Sequence, residues 1–150
     1  MKWGNDYGEH SIGSDHGGFE LKQEIIKHLT KKGIDFEDFG CFSEASCDYT
    51  DYGKAVAEAV ASGKYEKGIL ICGTGIGISI TANKIKGIRC ALCSDCFSAE
   101  ATREHNDANI LALGGRVVGV GLALKIVDTF LNTPFSNEER HIRRISKIES

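Results

Sequence analysis

Apolar and polar positions along the chain alternate between two periods. Residues 18–32 place Phe19, Leu21, Ile25, Ile26 and Leu29 near helical spacing, and Gly33 follows as a C-terminal cap. Ile34 to Phe39 reads as a strand, and residues 51–62 as an alanine-rich helix closed by Gly63. Gly68-Ile69-Leu70-Ile71-Cys72 is a continuous apolar run, as expected of a buried parallel strand. A helix follows its glycine loop to about Lys84. Arg89 to Cys93 is the next strand and residues 97–105 the next helix; Asn109 to Leu113 is another strand and Val117 to Leu131 another helix. Pro134, the only proline, precedes a charged helix at 137–149. At the other end, Glu9-His10-Ser11-Ile12-Gly13 is the first strand candidate but is polar for a central one, and residues 1–10 read as an irregular N-terminal extension.

Alternating strands and helices predict an α/β fold with a parallel sheet covered on both faces. No linker, repeat or low-complexity stretch divides the 150 residues, so one domain, 1–150, is expected. In such folds ligands sit at the carboxyl ends of the strands. Four segments follow strands there: Ser14 to Gly18, Cys72 to Gly77, Ser94-Asp95, and Gly114-Gly115-Arg116.

Composition narrows the partners. Hydrophobic residues make up 41% and charged residues 26%, with a net charge of -3, which argues against a nucleic-acid binder. No stretch reaches the length of a membrane span, and Met1 to Tyr7 has no apolar signal core. The expected location is the cytoplasm, where the six cysteines stay reduced.

Each candidate chemistry has a plainer rival. Cys72 stands at a strand end, before a glycine loop and a helix N-terminus, a field that favours a thiolate. A thiolate there can take a proton from carbon, and the loop N–H groups can hold the resulting oxyanion. The rival is a buried structural cysteine before a tight turn. A dinucleotide reading has Asp95 twenty residues after Gly75, but Ile78 stands where the third glycine of G-x-G-x-x-G belongs. No Gly-Lys-Ser/Thr follows for a phosphate loop. Cys90-x-x-Cys93-x-x-Cys96 has the opening spacing of an iron–sulfur ligand set but lacks the fourth cysteine. Alternation points Cys90 and Cys93 to opposite faces, so core packing with an exposed Cys96 is favoured. Asp15-His16 and His105 supply acid–base groups that a sugar ring-opening needs. Arg140 and Arg144 share a helix face and could grip one phosphate, whereas Arg143 lies off that line.

These segments together resemble the type B ribose-5-phosphate isomerases, a family shared with galactose-6-phosphate and allose-6-phosphate isomerases. The matching residues are Gly13 to Gly18, Asp48-Tyr49, Ile71 to Ser79, Ala82-Asn83-Lys84, Gly87-Ile88-Arg89, Arg103 to Asn109, Gly114 to Gly119, and Arg140-His141 with Arg144. The resemblance implies a three-layer α/β/α Rossmann-like sandwich around a five-stranded parallel sheet. It implies interconversion of ribose 5-phosphate and ribulose 5-phosphate, a step of the pentose phosphate pathway, without metal or cofactor. In it Cys72 is the base moving a proton between C2 and C1, and His105 opens the ring with Asp15 assisting. Gly73, Thr74, Gly75, Ile76 and Gly77 hold the enediolate oxygens, with Thr74 aiding proton transfer. Asn106 binds hydroxyls, Tyr49 lines the pocket, and His16, Arg116, Arg140 and Arg144 bind phosphate. The family forms homodimers, sometimes tetramers, with His105, Asn106 and Arg116 reaching into the partner's site.

Overall fold

The computed structural model describes residues 9–150; residues 1–8, most of the expected N-terminal extension, lie outside the described residues. Five strands form one parallel sheet: β1 (Glu9–Ser14), β2 (Phe36–Asp38), β3 (Tyr65–Cys72), β4 (Cys90–Leu92) and β5 (Ile110–Gly114), in the order β2-β1-β3-β5-β4. Six helices cover it: α1 (Phe19–Lys31), α2 (Tyr49–Ala61), α3 (Ile76–Ala82), α4 (Cys96–Asn106), α5 (Val120–Asn132) and α6 (Glu139–Glu149). The Rossmann-like sandwich expected from the sequence is the observed fold.

Strand alternation divides the core. Ile69 and Ile71 of β3 and Leu111 and Leu113 of β5 face one side, where α1 and α5 supply Leu21, Ile25, Leu29, Ile126 and Phe130. Leu70 and Cys72, with Ile110 and Ala112, face the other side against Val56, Ala57 and Val60 of α2 and Ile78 and Ala82 of α3. Cys72 therefore points toward the α2–α3 layer.

The first strand differs from the sequence expectation. Glu9 and His10 belong to β1 and not to an irregular extension, and β1 lies between β2 and β3. Its buried polar residues are small, and they sit where space is short. The Ser11 hydroxyl donates to the Lys67 carbonyl, and a Cβ on Gly13 would come within 2.9 Å of a Val56 methyl. A polar strand is thus central because its neighbours leave room for little more than backbone.

Local chemistry sets the helix ends. Gly33 (φ +70°) and Gly63 (φ +83°) take the left-handed conformation after α1 and α2, as the sequence predicts. Asp95 caps α4, its carboxylate accepting from the Ser98 N–H (2.7 Å) and hydroxyl (2.9 Å). The acid that a dinucleotide reading would give to a ribose is therefore in use as a cap. Asp107 ends α4 at φ 45°, held by the Arg103 guanidinium at 2.8 Å.

Candidate active site

Three strand ends meet at the carboxyl edge of the sheet, and backbone meets backbone there. Ser14 pairs with Ile71, and Cys72 with Gly114. The Asp15 N–H donates to the Ile71 carbonyl, the Gly115 N–H to the Cys72 carbonyl (2.8 Å), and the Arg116 N–H to the Gly73 carbonyl (2.9 Å). The loops close onto one another at glycines. A Cβ on Gly17 would lie 3.1 Å from the Gly73 nitrogen, and one on Gly115 would lie 2.9 Å from the Gly17 carbonyl oxygen.

Cys72 is 4% exposed, and its sulfur accepts the Gly75 N–H at 3.1 Å. That bond requires the loop to fold back on its own start. Gly75 does so at φ +79°, against Leu113 and Leu92. Thr74 is engaged by its own loop, its hydroxyl accepting from the Ile76 N–H at 3.2 Å. The hydroxyl end of the Tyr49 ring approaches Gly77, where an added Cβ would meet it at 2.6 Å. The sulfur, the loop and this ring form one wall.

Asp15 and His16 form the next wall. Asp15 is buried, and its carboxylate accepts the Gly18 N–H at 3.1 Å. His16 Nδ1 accepts the Cys47 N–H at 3.2 Å, which places the ring proton on Nε2. His16 and Arg116 border a cleft of about 320 Å³ together with Glu20 and Glu44. Two ring and guanidinium donors beside open space suit an anion, while the two carboxylates bound where it can sit.

The remaining sequence candidates lie elsewhere in the chain. Helix α4 runs back across the sheet from the end of β4, so His105 and Asn106 at its C-terminus stand beside the start of β5. The Ala108 N–H donates to the Thr102 carbonyl, and the Asn106 carbonyl accepts from Arg89 Nε. The five residues of β5 therefore separate Asn106 from the Cys72 edge, roughly 13 Å or more of strand. A larger cavity of about 620 Å³ opens at that opposite edge, bordered by Asn106, Arg89 and Glu149, away from the Cys72 loop. The His105 ring stacks on that of His141 of α6, with centroids 4.5 Å apart. Arg140 pairs with Glu138 at 3.0 Å and donates to His141 Nε2 at 3.4 Å. Burial, with His105 and Arg140 close by, holds the His141 ring below the ordinary histidine range. Arg116 stands at the end of β5 with its guanidinium against Gly73 of its own chain, and its N–H donates to the Gly73 carbonyl.

Sequence reasoning missed Lys22. Its side chain is fully buried, donating to Asp38 at 2.6 Å and to the Cys41 carbonyl at 2.5 Å, with the Phe19 and Phe42 rings nearby. The signal was present: Lys22 falls on the apolar stripe of α1, three residues from both Phe19 and Ile25. The pair anchors the segment after β2, since Asp38 also accepts the Gly40 N–H at 2.9 Å.

The cysteine triplet divides as alternation predicts. Cys93 belongs to one core cluster and Cys90 packs against the other. Burial pushes the Cys93 thiol up to about 11 and raises that of Cys90 as well. Cys96 is half-buried against the core instead of exposed. Among the described residues, no cluster of three His, Cys, Asp or Glu side chains could hold a metal ion.

Residues 11–148 match the family described as Ribose/Galactose Isomerase. The chain belongs to that family. Ribose-5-phosphate isomerase B of Clostridium thermocellum superposes with a TM-score of 0.92 at 56% identity, over 94% of this chain and 95% of that one. Ribose-5-phosphate isomerase B of Escherichia coli is 49% identical over 92% of each protein. Galactose-6-phosphate isomerase subunit LacB of Clostridium acetobutylicum is 41% identical over 93% of this chain and 80% of that protein. As a ribose/galactose isomerase, the chain is a sugar-phosphate aldose–ketose isomerase.

Proposed function

We propose that the protein interconverts D-ribose 5-phosphate and D-ribulose 5-phosphate through a cis-enediolate, as a cytoplasmic step of the pentose phosphate pathway, with Cys72 as the carbon base. The observation that carries this reading is the Cys72 sulfur, buried and aimed into the loop whose Gly75 N–H it accepts. In the open-chain aldose the thiolate removes the C2 proton and charge moves onto O1. The N–H groups of Gly73 to Gly77 receive that charge. The proton returns to C1, and Thr74 assists the exchange between O2 and O1. Asp15 and His105 open the ring, Asn106 holds hydroxyls and Tyr49 closes one side.

The phosphate rests on His16 and Arg116 and on Arg140 and Arg144. Arg140, Arg144, His105 and Asn106 belong to elements away from the Cys72 edge. On this reading a second copy of the chain supplies them, and the active unit is a homodimer with two shared sites, which can pair further into a tetramer. No metal or cofactor enters the scheme.

The relative named as a galactose-6-phosphate isomerase subunit favours one alternative, the same chemistry on a six-carbon sugar phosphate. The deciding experiment measures kcat/KM of the purified protein on ribose 5-phosphate, allose 6-phosphate and galactose 6-phosphate, with Cys72→Ala alongside. The expected outcome is preference for the pentose, and loss of at least a hundredfold in kcat for Cys72→Ala with phosphate binding retained. Near-wild-type turnover in Cys72→Ala would remove the thiol from the mechanism.

A further inference from the structure

Asn106 is exposed and is the last residue of α4. A free asparagine there could turn either end of its amide outward, the acceptor oxygen or the donor nitrogen. Here its main chain and its side chain are both held. Arg89 Nε donates to the Asn106 carbonyl at 2.8 Å, and Arg89 Nη2 donates to the Asp107 carbonyl at 2.9 Å. The Asn106 side-chain oxygen, Oδ1, accepts the Thr102 hydroxyl at 3.0 Å. Thr102 is buried and stands four residues earlier, so the two side chains share one face of the helix. Both line the cavity of about 620 Å³ at that edge.

The Thr102 bond runs opposite to the common one. A helical threonine hydroxyl can donate to the carbonyl four residues back. Thr81 does so to Gly77 at 2.9 Å, Thr129 to Lys125 at 2.8 Å and Thr133 to Thr129 at 2.6 Å. Thr102 directs its proton one turn forward instead, onto a side chain that the isomerisation uses.

We propose that Thr102 is a positioning residue for the isomerisation, turning the Asn106 amide so that Nδ2 and not Oδ1 faces the sugar. The amide is planar, and its oxygen and nitrogen diverge from one carbon. With the oxygen drawn back toward the preceding turn, the N–H groups point away from it. A sugar hydroxyl at Asn106 is then held as an acceptor, and its own proton goes to another group. An amide already turned this way loses little freedom when the sugar arrives. This inference rests on Asn106 as a sugar ligand, as proposed above.

Thr102→Val tests it, since valine keeps the branched shape and lacks the hydroxyl. The KM for ribose 5-phosphate should rise about two- to tenfold, the scale of one hydrogen bond, with kcat nearly unchanged. Thr102→Ser, which restores the hydroxyl, should recover most of that loss. Asn106→Asp presents an acceptor where the amide presents a donor, and should raise KM at least as far as Asn106→Ala. In nitrogen-15 NMR of the intact protein, the Asn106 side-chain NH2 signals are assigned by their loss in Asn106→Ala. They should report a mobile amide in Thr102→Val and a held one in Thr102→Ser. An unchanged KM in Thr102→Val while Asn106→Ala raises it would overturn the proposal. So would the same rise when Thr102→Val is added to Asn106→Ala, a wild-type KM in Asn106→Asp, or an amide as rigid in Thr102→Val as in the wild type. A wild-type KM in Asn106→Ala would overturn the sugar-binding reading of Asn106 instead, and the amide signals would still decide whether Thr102 orients it.

Discussion

Lys22→Met removes the one fully buried ammonium among the described residues and keeps nearly the same side-chain length. Two charge-assisted bonds are lost, to Asp38 and to the Cys41 carbonyl. Breaking a buried ion pair by removing one partner costs about 3–5 kcal/mol, because the other charge is left stranded. Here the stranded group is partly relieved. Asp38 retains the Gly40 N–H, and its side chain is 21% exposed to water. The Cys41 carbonyl has no such relief, and an orphaned buried acceptor costs about 1–3 kcal/mol. The lower end of the pair figure, about 3 kcal/mol, is therefore expected. With an m-value of about 2 kcal/mol/M, the urea midpoint falls by about 1.5 M. The assay is equilibrium urea unfolding at fixed protein concentration, since association adds to apparent stability. Asp38→Asn and the double variant complete a cycle whose coupling should exceed about 1 kcal/mol. A Lys22→Met midpoint within about 0.25 M of wild type would refute the account of Lys22 as a structural tie.

Three further outcomes follow from the same geometry. Gly33→Ala and Gly75→Ala both place a side chain at positive φ, but Gly33 has open space around it and Gly75 would meet the Leu92 side chain at 2.5 Å and the Leu113 carbonyl carbon at 2.8 Å. Thermal unfolding should show a loss of about 1 kcal/mol for Gly33→Ala and a clearly larger one for Gly75→Ala, and only the second should lower kcat. At Asp128, partial burial would raise the carboxyl, but hydrogen bonds and charge from Lys32 (2.8 Å) and His28 (2.7 Å) outweigh it and hold the group below the ordinary range. A depressed carboxyl stabilises the fold above its unfolded titration and loses that contribution as pH falls through its folded one. The stability gap between wild type and Asp128→Asn should therefore be full at neutral pH and shrink in strong acid, measured by urea titration across pH. Finally, mixing inactive Cys72→Ala with inactive His105→Ala should restore activity through hybrid dimers with one intact site, and no recovery would argue against a shared site.

Much of this was legible in the chain because apolar periodicity and helix caps are local signals. Gly33 and Gly63 end helices for a reason visible in their own neighbourhood. The centrality of β1 was not legible, because it depends on how little room Val56 and the Lys67 carbonyl leave, and those residues lie far off in sequence. Lys22 was hidden similarly. A lysine on an apolar stripe reads as a breach until Asp38 and the Cys41 carbonyl arrive from another element. For the site, the thiol loop and the Asp15–His16 turn were readable as motifs. That the loops after β1, β3 and β5 share an edge was readable too; that His105 and Asn106 stand at the opposite edge was not, since that follows from α4 crossing the sheet before β5 begins. Arg116 shows the limit: its place beside Gly73 is fixed by a backbone bond between two loops that no single-sequence pattern reports.

The seam where Gly17, Gly73 and Gly115 touch has a consequence for how such an enzyme can diverge. The shortest approaches at Gly17 and Gly115 are to main chain, so a carbon added at either has to displace backbone instead of a side chain. The reacting end is thus frozen against small evolutionary steps. Variation in what the cleft accepts has to enter from its margins: Tyr49, the exposed stretch around Glu44, and whatever a neighbouring molecule presents. A lineage can change the length of the sugar it takes while the three loops that meet behind it stay the same, atom for atom.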